Sequence, residues 1–453
     1  MVPRSKHLLT LGLFVSVTIA AVAQGPQSPP VTNPALTGEA PLPRLGEKDA
    51  DGRTVYRARL TGHLTNYYEE KIRPYTLPDP LTTDDGRRVV DAQMWLKERR
   101  PEILKMFQTE IYGRVPDTAP RVRWEVATVD ANARDGAAVM KRVVGTMGEG
   151  PDAPAMNVTM YTPARARGPV PMILTITFGG GPGRGGTAAG QAPSAGRGAV
   201  GQGDPIADIL ARGWGYATIG YGDIEGDTYN TSLSRVRKLA LKPGQNRPAP
   251  DEWGTISAWA WGISRIVDYF ESDKSVDTKQ IAIEGHSRLG KTVLWAGAQD
   301  QRIAAVFSSC GGEMGAALAR RDYGESLDDM AYDFYWQFAG NIHNYAGQWD
   351  KLPGDQHFVI SLVAPRPLFL NGGLGDQWSD PKGEFLGAVA AGPVYRLLGK
   401  KDLGTTELPA MDRPIIDGDM GWNYHSEGHL ATPADWQAFL IFLDKYFKVP
   451  GVQ

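Results

Sequence analysis

Gln280-Ile281-Ala282-Ile283-Glu284-Gly285-His286-Ser287-Arg288-Leu289-Gly290-Lys291-Thr292-Val293-Leu294-Trp295-Ala296-Gly297-Ala298 is the stretch that decides the fold of this 453-residue chain. The apolar run ending at Glu284 reads as a buried strand, and Thr292 to Ala298 reads as a helix. Between them, Gly285-His286-Ser287 with a glycine at 290 rather than 289 reads as a nucleophile elbow whose second glycine falls one place late. Such a sharp turn needs small neighbours, and it lifts the serine oxygen to a helix N-terminus where amide donors meet developing negative charge. The arginine directly after the serine and the lysine at 291 make the motif far more specific than its bare glycines.

Outward from this turn, 170–178 reads as a wholly apolar strand, and 215–221, 304–308 and 367–371 as further short strands. Helices are predicted over 92–112, with Trp95, Leu96, Ile103, Leu104, Phe107 and Ile111 on one side, over 255–270, and over 436–447. Residues 122–129 and 156–161 alternate like strands of an antiparallel N-terminal edge. Strands alternating with helices predict a mainly parallel central sheet covered on both faces, a three-layer α/β/α sandwich. No linker or repeat interrupts 60–447, so 56–453 reads as one catalytic domain. Its Gly-rich stretch at 179–203 lacks the order of a phosphate-binding loop and reads as a surface insertion near the site.

The N-terminus carries Arg4 and Lys6, an apolar stretch from Leu8 to Ala21, and Ala21-Val22-Ala23. This is the order of a secretory signal peptide over 1–23, cut after Ala23. Its apolar core is shorter than the ~20 residues that span a bilayer. A Pro/Gln-rich leader over 24–55 is expected to be disordered. The reading is therefore a secreted or periplasmic protein, with no membrane association once the signal is removed. A formal net charge of −3, made more negative by the loss of Arg4 and Lys6, excludes a nucleic-acid partner. The single cysteine, Cys310, excludes an internal disulfide.

A serine nucleophile needs a base and a group that orients the base, in the chain order Ser, acid, His. The base should sit in a loop just before the last helix, and of the histidines beyond Ser287 only His425 and His429 do. His429 is favoured, because Gly428 gives it room and Thr432-Pro433 then starts the helix as N-cap and first residue. The acid should follow a strand that precedes this histidine. Asp376, in the loop after Leu368-Phe369-Leu370-Asn371, is favoured over Asp380, which precedes Pro381 and suits a turn or cap. An arginine at the positive end of a helix dipole is unfavourable by itself. Arg288 there predicts anionic charge nearby, a substrate carboxylate or an oxyanion, and Lys291 at i+3 is expected to face the same pocket.

These residues, with Tyr221-Gly222-Asp223-Ile224, segment 254–261, Ser309-Cys310-Gly311-Gly312, Tyr323-Gly324-Glu325, Leu362-Val363-Ala364-Pro365-Arg366-Pro367 and Trp378-Ser379-Asp380-Pro381-Lys382-Gly383-Glu384-Phe385, resemble the glucuronoyl esterases. These form carbohydrate esterase family fifteen, and the likeness is to its bacterial branch, from about Trp95 to Phe447. The resemblance implies an α/β-hydrolase fold, no cofactor or metal, and a monomer. It also implies hydrolysis of the ester between (4-O-methyl-)glucuronic acid of glucuronoxylan and a lignin alcohol. By position it makes Ser287 the nucleophile, His429 the base and Arg288 an oxyanion donor. Lys291, Glu325 and Trp378 then hold the sugar. Where some members carry the acid as a glutamate after the elbow's neighbouring strand, this chain has Cys310, with Glu313 off register. That departure favours Asp376. Two rival readings are an acetyl esterase acting on xylan and a catalytically silent carbohydrate-binding protein. Arg288 and Lys291 argue against the first, and the Ser287, His429 and Asp376 set against the second.

Overall fold

The computed structural model describes residues 37–179 and 205–449. The expected signal peptide, the first part of the leader and the Gly-rich insertion beyond Gly179 lie outside the described residues. Among the described residues, nine strands build the central sheet. They are β3 (Val122–Ala133), β4 (Ala138–Met147), β5 (Ala155–Pro163), β6 (Val170–Thr177), β7 (Gly215–Gly220), β8 (Val276–His286), β9 (Ala305–Ser309), β10 (Leu368–Gly373) and β11 (Met420–His425). Their order is β11-β10-β9-β8-β6-β7-β5-β4-β3. All pairings from β7 to β11 are parallel, and β3, β4 and β5 form the antiparallel edge.

Strands buried on both faces need apolar residues at successive positions, and β6 has them from Val170 to Leu174. Because side chains alternate across a strand, Met172, Leu174 and Ile176 join one core and Ile173 the other. The first core is capped by α1 (Arg100–Glu110), α3 (Thr255–Ser272), α4 (Arg288–Gln299), α5 (Leu327–Tyr332), α6 (Gln356–Val363) and α7 (Pro381–Leu397). The second is covered by α2 (Pro205–Ala211) and α8 (Pro433–Leu443), whose Trp436, Phe439 and Phe442 pack with Phe307 and Phe369. Among the described residues no helix is long and apolar enough to cross a membrane.

Several local expectations change. The helix expected over 92–112 is interrupted by a π turn at Trp95–Arg99 before α1. Pro101 sits in the first turn of α1, where its missing N–H breaks the α-helical ladder. His425, expected in a loop, ends β11, a strand with no β-branched residue that pairs in parallel with β10. The leader expected to be disordered contains a hairpin, β1 (Leu45–Lys48) and β2 (Thr54–Arg57), with Leu45 opposite Arg57. Composition hid this hairpin because its support comes from distant residues, Arg44 bonding Asp333 and Tyr56 meeting Trp378.

Glu284 stands opposite Thr175 of β6 and Phe307 of β9, with 3% of its surface exposed. Burial pushes its carboxyl up to about 8. A carboxyl raised in the folded state contributes stability below its unfolded pKa, and that contribution is lost as pH rises through the folded value. The melting temperature should therefore decline between about pH 5 and about pH 8. Glu284→Gln, which stays neutral, should flatten that decline in scanning calorimetry. An unchanged slope in the variant would rule out ionisation at Glu284.

Candidate active site

β8 ends at His286 and α4 begins at Arg288, with Ser287 between them at φ 62°, ψ −130°. A non-glycine residue in that region costs about 1–3 kcal/mol and persists only when its surroundings enforce it. Here the Ser287 N–H donates to the Ser309 carbonyl at 2.8 Å, tying the elbow to the end of β9. A Cβ on Gly290 would stand 2.7 Å from that same carbonyl, and one on Gly285 would stand 2.4 Å from the Leu289 oxygen. The late second glycine thus has a steric cause: at position 290, α4 passes against the backbone at the end of β9. Ser287 occupies the N-cap of α4, where leading amides lack intrahelical acceptors.

His429 Nδ1 lies 2.6 Å from Asp376 Oδ2, and its ring sits 4.5 Å from that of His286, the neighbour of Ser287. The Ser379 hydroxyl also approaches His429 Nδ1, at 3.2 Å. His429 is partly open to solvent and Asp376 is buried. Asp380 is elsewhere engaged, capping α7 through Gly383 N–H at 3.0 Å and pairing with Arg321 at 2.8 Å. His425 is buried beneath α8, with Nε2 3.6 Å from Asp435 Oδ2. Glu313 is buried with Oε1 unpartnered, and burial holds its carboxyl well above the usual range, as a neutral acid. Burial, with His429 and His425 nearby, holds His286 well below the usual histidine range, so this second imidazole stays neutral.

The Arg288 guanidinium donates to Asp227, whose other oxygen accepts from Trp336 Nε1 at 3.1 Å and Gln337 Nε2 at 2.8 Å. The anionic charge expected beside Arg288 is therefore the protein's own, not only a ligand's. Lys291 Nζ donates to the Glu325 carboxylate at 2.7 Å and to the Glu313 carbonyl. Glu325 Oε1 also accepts from the Glu313 amide at 2.9 Å, and the Glu325 amide donates to the Trp378 carbonyl at 2.7 Å. Lys291, Glu325 and Trp378 are thus one connected group, one helical turn from Ser287.

Cys310 Sγ, an Asp376 oxygen and an imidazole nitrogen of His429 lie within 4.8 Å of one another, a trio that could hold a soft cation. Burial and the Asp376 charge push the Cys310 thiol well above its usual range. The thiol donates to the Leu430 carbonyl at 3.7 Å.

The family model described as glucuronyl esterase, fungi, matches residues 248–399. The carbohydrate esterase MZ0003, from an unknown prokaryotic organism, is 38% identical over 84% of this chain and 92% of its own length. A 4-O-methyl-glucuronoyl methylesterase of Phanerochaete carnosa is 28% identical over 72% of this chain and 73% of its own. The solved glucuronoyl esterase from Solibacter usitatus is 41% identical, with a TM-score of 0.77, covering 83% of this chain and 99% of that one. The chain belongs to the glucuronoyl esterases, carbohydrate esterase family 15.

Within this glucuronoyl esterase family member, sequence reasoning missed Asp227, His286 and Ser379. His286 was visible inside the elbow motif itself, as an imidazole one residue before the serine. Asp227 lies three residues beyond the Tyr221-to-Ile224 motif, and only the fold brings it to Arg288. The Lys291–Glu325 pair is about 5% and 9% exposed. Removing one member of such a pair leaves a buried unpaired charge, at about 3–5 kcal/mol. Glu325→Ala should lower the urea-unfolding free energy on that scale, and the Lys291→Met/Glu325→Leu double variant by clearly less. Equal losses would show that the unpaired charge is not the cause.

Proposed function

We propose that this chain hydrolyses glucuronic acid esters by a two-step acyl transfer at Ser287. The observation that carries the reading is the 2.6 Å contact between His429 Nδ1 and Asp376, beside an elbow serine held in a strained backbone conformation. With Nδ1–H bonded to the carboxylate, His429 keeps Nε2 free to act as base. His429 takes the Ser287 proton as Oγ attacks the ester carbonyl. The tetrahedral oxyanion is met by the leading amides of α4 and the guanidinium of Arg288. The carbonyl re-forms, the C–O bond to the alcohol breaks, and His429 returns its proton to the departing oxygen. Water activated by His429 then cleaves the glucuronoyl-enzyme and restores Ser287.

Asp227 serves this scheme by aiming Arg288 and offsetting the charge it brings to the positive end of α4. The Lys291–Glu325 pair and Trp378 offer donors, an acceptor and a flat ring to the sugar, features an acetyl group would not use. A 4-O-methyl-glucuronoyl acyl group and a lignin-derived alcohol fit this reading, as do residues 1–23 as a cleaved export signal and a monomeric enzyme.

Ser287→Ala should abolish release of benzyl alcohol from benzyl glucuronate while leaving the melting temperature close to that of the parent. Arg288→Ala should lower kcat by about 10²–10³-fold, the scale of one lost oxyanion donor. Full turnover by either variant would sink the scheme. Parent enzyme that turns over p-nitrophenyl acetate far better than methyl glucuronate would favour an acetyl esterase.

A further inference from the structure

The segment from Arg44 to Arg73 lies outside the central sheet, yet its contacts converge on the loop that carries Glu325 and the turn that carries Trp378. The Asn66 carbonyl accepts from Gly324 N–H at 2.8 Å. Asn66 Oδ1 accepts from Tyr68 N–H at 3.0 Å, and its Nδ2 donates to the Tyr68 and Asp322 carbonyls at 3.1 Å each. His63 Nε2 lies 2.8 Å from Asp322 Oδ1. Glu69 joins Arg321 and Lys382, the latter at 2.8 Å, and Arg321 in turn holds Asp380, two residues after Trp378. Arg44, fixed by Asp333 at 2.9 Å, places its guanidinium 4.8 Å from the centre of the Trp378 ring and 5.3 Å from that of Tyr56.

The loop itself is conformationally demanding. Asp322 and Gly324 have φ of 54° and 71°, and a Cβ on Gly324 would stand 2.3 Å from the Trp378 carbonyl. The loop is therefore bound on one side to Asn66 and on the other to Trp378. Neither tie belongs to the sheet that carries Ser287. We infer that Asn66 and Arg44 are positioning residues: residues 44–73 form a strap that fixes Glu325 and Trp378 for the sugar and leaves the chemistry at Ser287 alone. The inference rests on the glucuronate esterase reading, because it assigns the strap to the acyl sugar of that substrate. It predicts an effect on recognition of the sugar, separable from the reaction of the serine.

The test compares Asn66→Ala, Arg44→Ala and Arg44→Lys with the parent on two substrates, benzyl glucuronate and the sugarless p-nitrophenyl acetate. Asn66→Ala and Arg44→Ala should raise KM for benzyl glucuronate by about fivefold or more, the scale of one lost hydrogen bond or cation–π contact. Their kcat should stay within about twofold, p-nitrophenyl acetate turnover should not change, and Arg44→Lys should recover most of the affinity. Hydrogen exchange should quicken at the Gly324 and Glu325 amides in Asn66→Ala, with β8 amides unaffected. An unchanged KM, or equal losses on both substrates, overturns the strap. Should Arg44→Ala fail to fold, Asn66→Ala and Arg44→Lys decide the question. Failure of the parent to cleave benzyl glucuronate overturns the functional reading instead, and the exchange measurement then still shows whether Asn66 holds the loop.

Discussion

The carbonyl of Ser309 at the end of β9 fixes the rest of the site. It receives the Ser287 amide and leaves no room for a side chain at Gly290, so α4 and β9 meet backbone to backbone. That approach holds Ser287 in its strained conformation at the N-cap of α4. The same strand end turns directly into Cys310, itself at φ 45° and buried against the Asp376 and His429 pair. One contact therefore sets Ser287, the helix terminus and the wall behind the His429 imidazole.

Charge in the site is arranged so that each cation is answered locally. Arg288 is met by Asp227 and Lys291 by Glu325, both inside the protein. Buried pairs of this kind add little net stability, but they fix side-chain direction, which a donor aimed at an oxyanion requires. Other titratable groups nearby are kept neutral by burial: His286 below its usual range, Glu313 and Cys310 above theirs.

Much of this was legible in the sequence because it depends on local pattern. The elbow, the apolar run of β6, the α8 cap at Thr432 and the loop holding Asp376 are each specified within about ten residues. What was not legible depends on pairing across long distances. β11 lacks β-branched residues and exists because β10 offers it a parallel partner. The hairpin at residues 45–57 looks like low-complexity leader until Arg44 meets Asp333 and Trp378. Asp227 carries no motif of its own, and its importance comes from the fold that delivers it to Arg288. Among Asp376, Asp380 and Glu313 the sequence context already favours the first, and the geometry agrees: Asp376 lies against His429, while Asp380 caps a helix and Glu313 is buried with one oxygen unpartnered.

The central claim is that Asp376, on the loop after β10, orients His429. The most direct measurement is kcat on benzyl glucuronate for Asp376→Asn beside Glu313→Gln. Asp376→Asn should lose about 10⁴-fold, as expected when the imidazole is held in the wrong tautomer. Glu313→Gln, replacing a carboxyl that is already neutral, should keep kcat close to the parent's. Near-parental turnover in Asp376→Asn together with a collapse in Glu313→Gln would contradict the account.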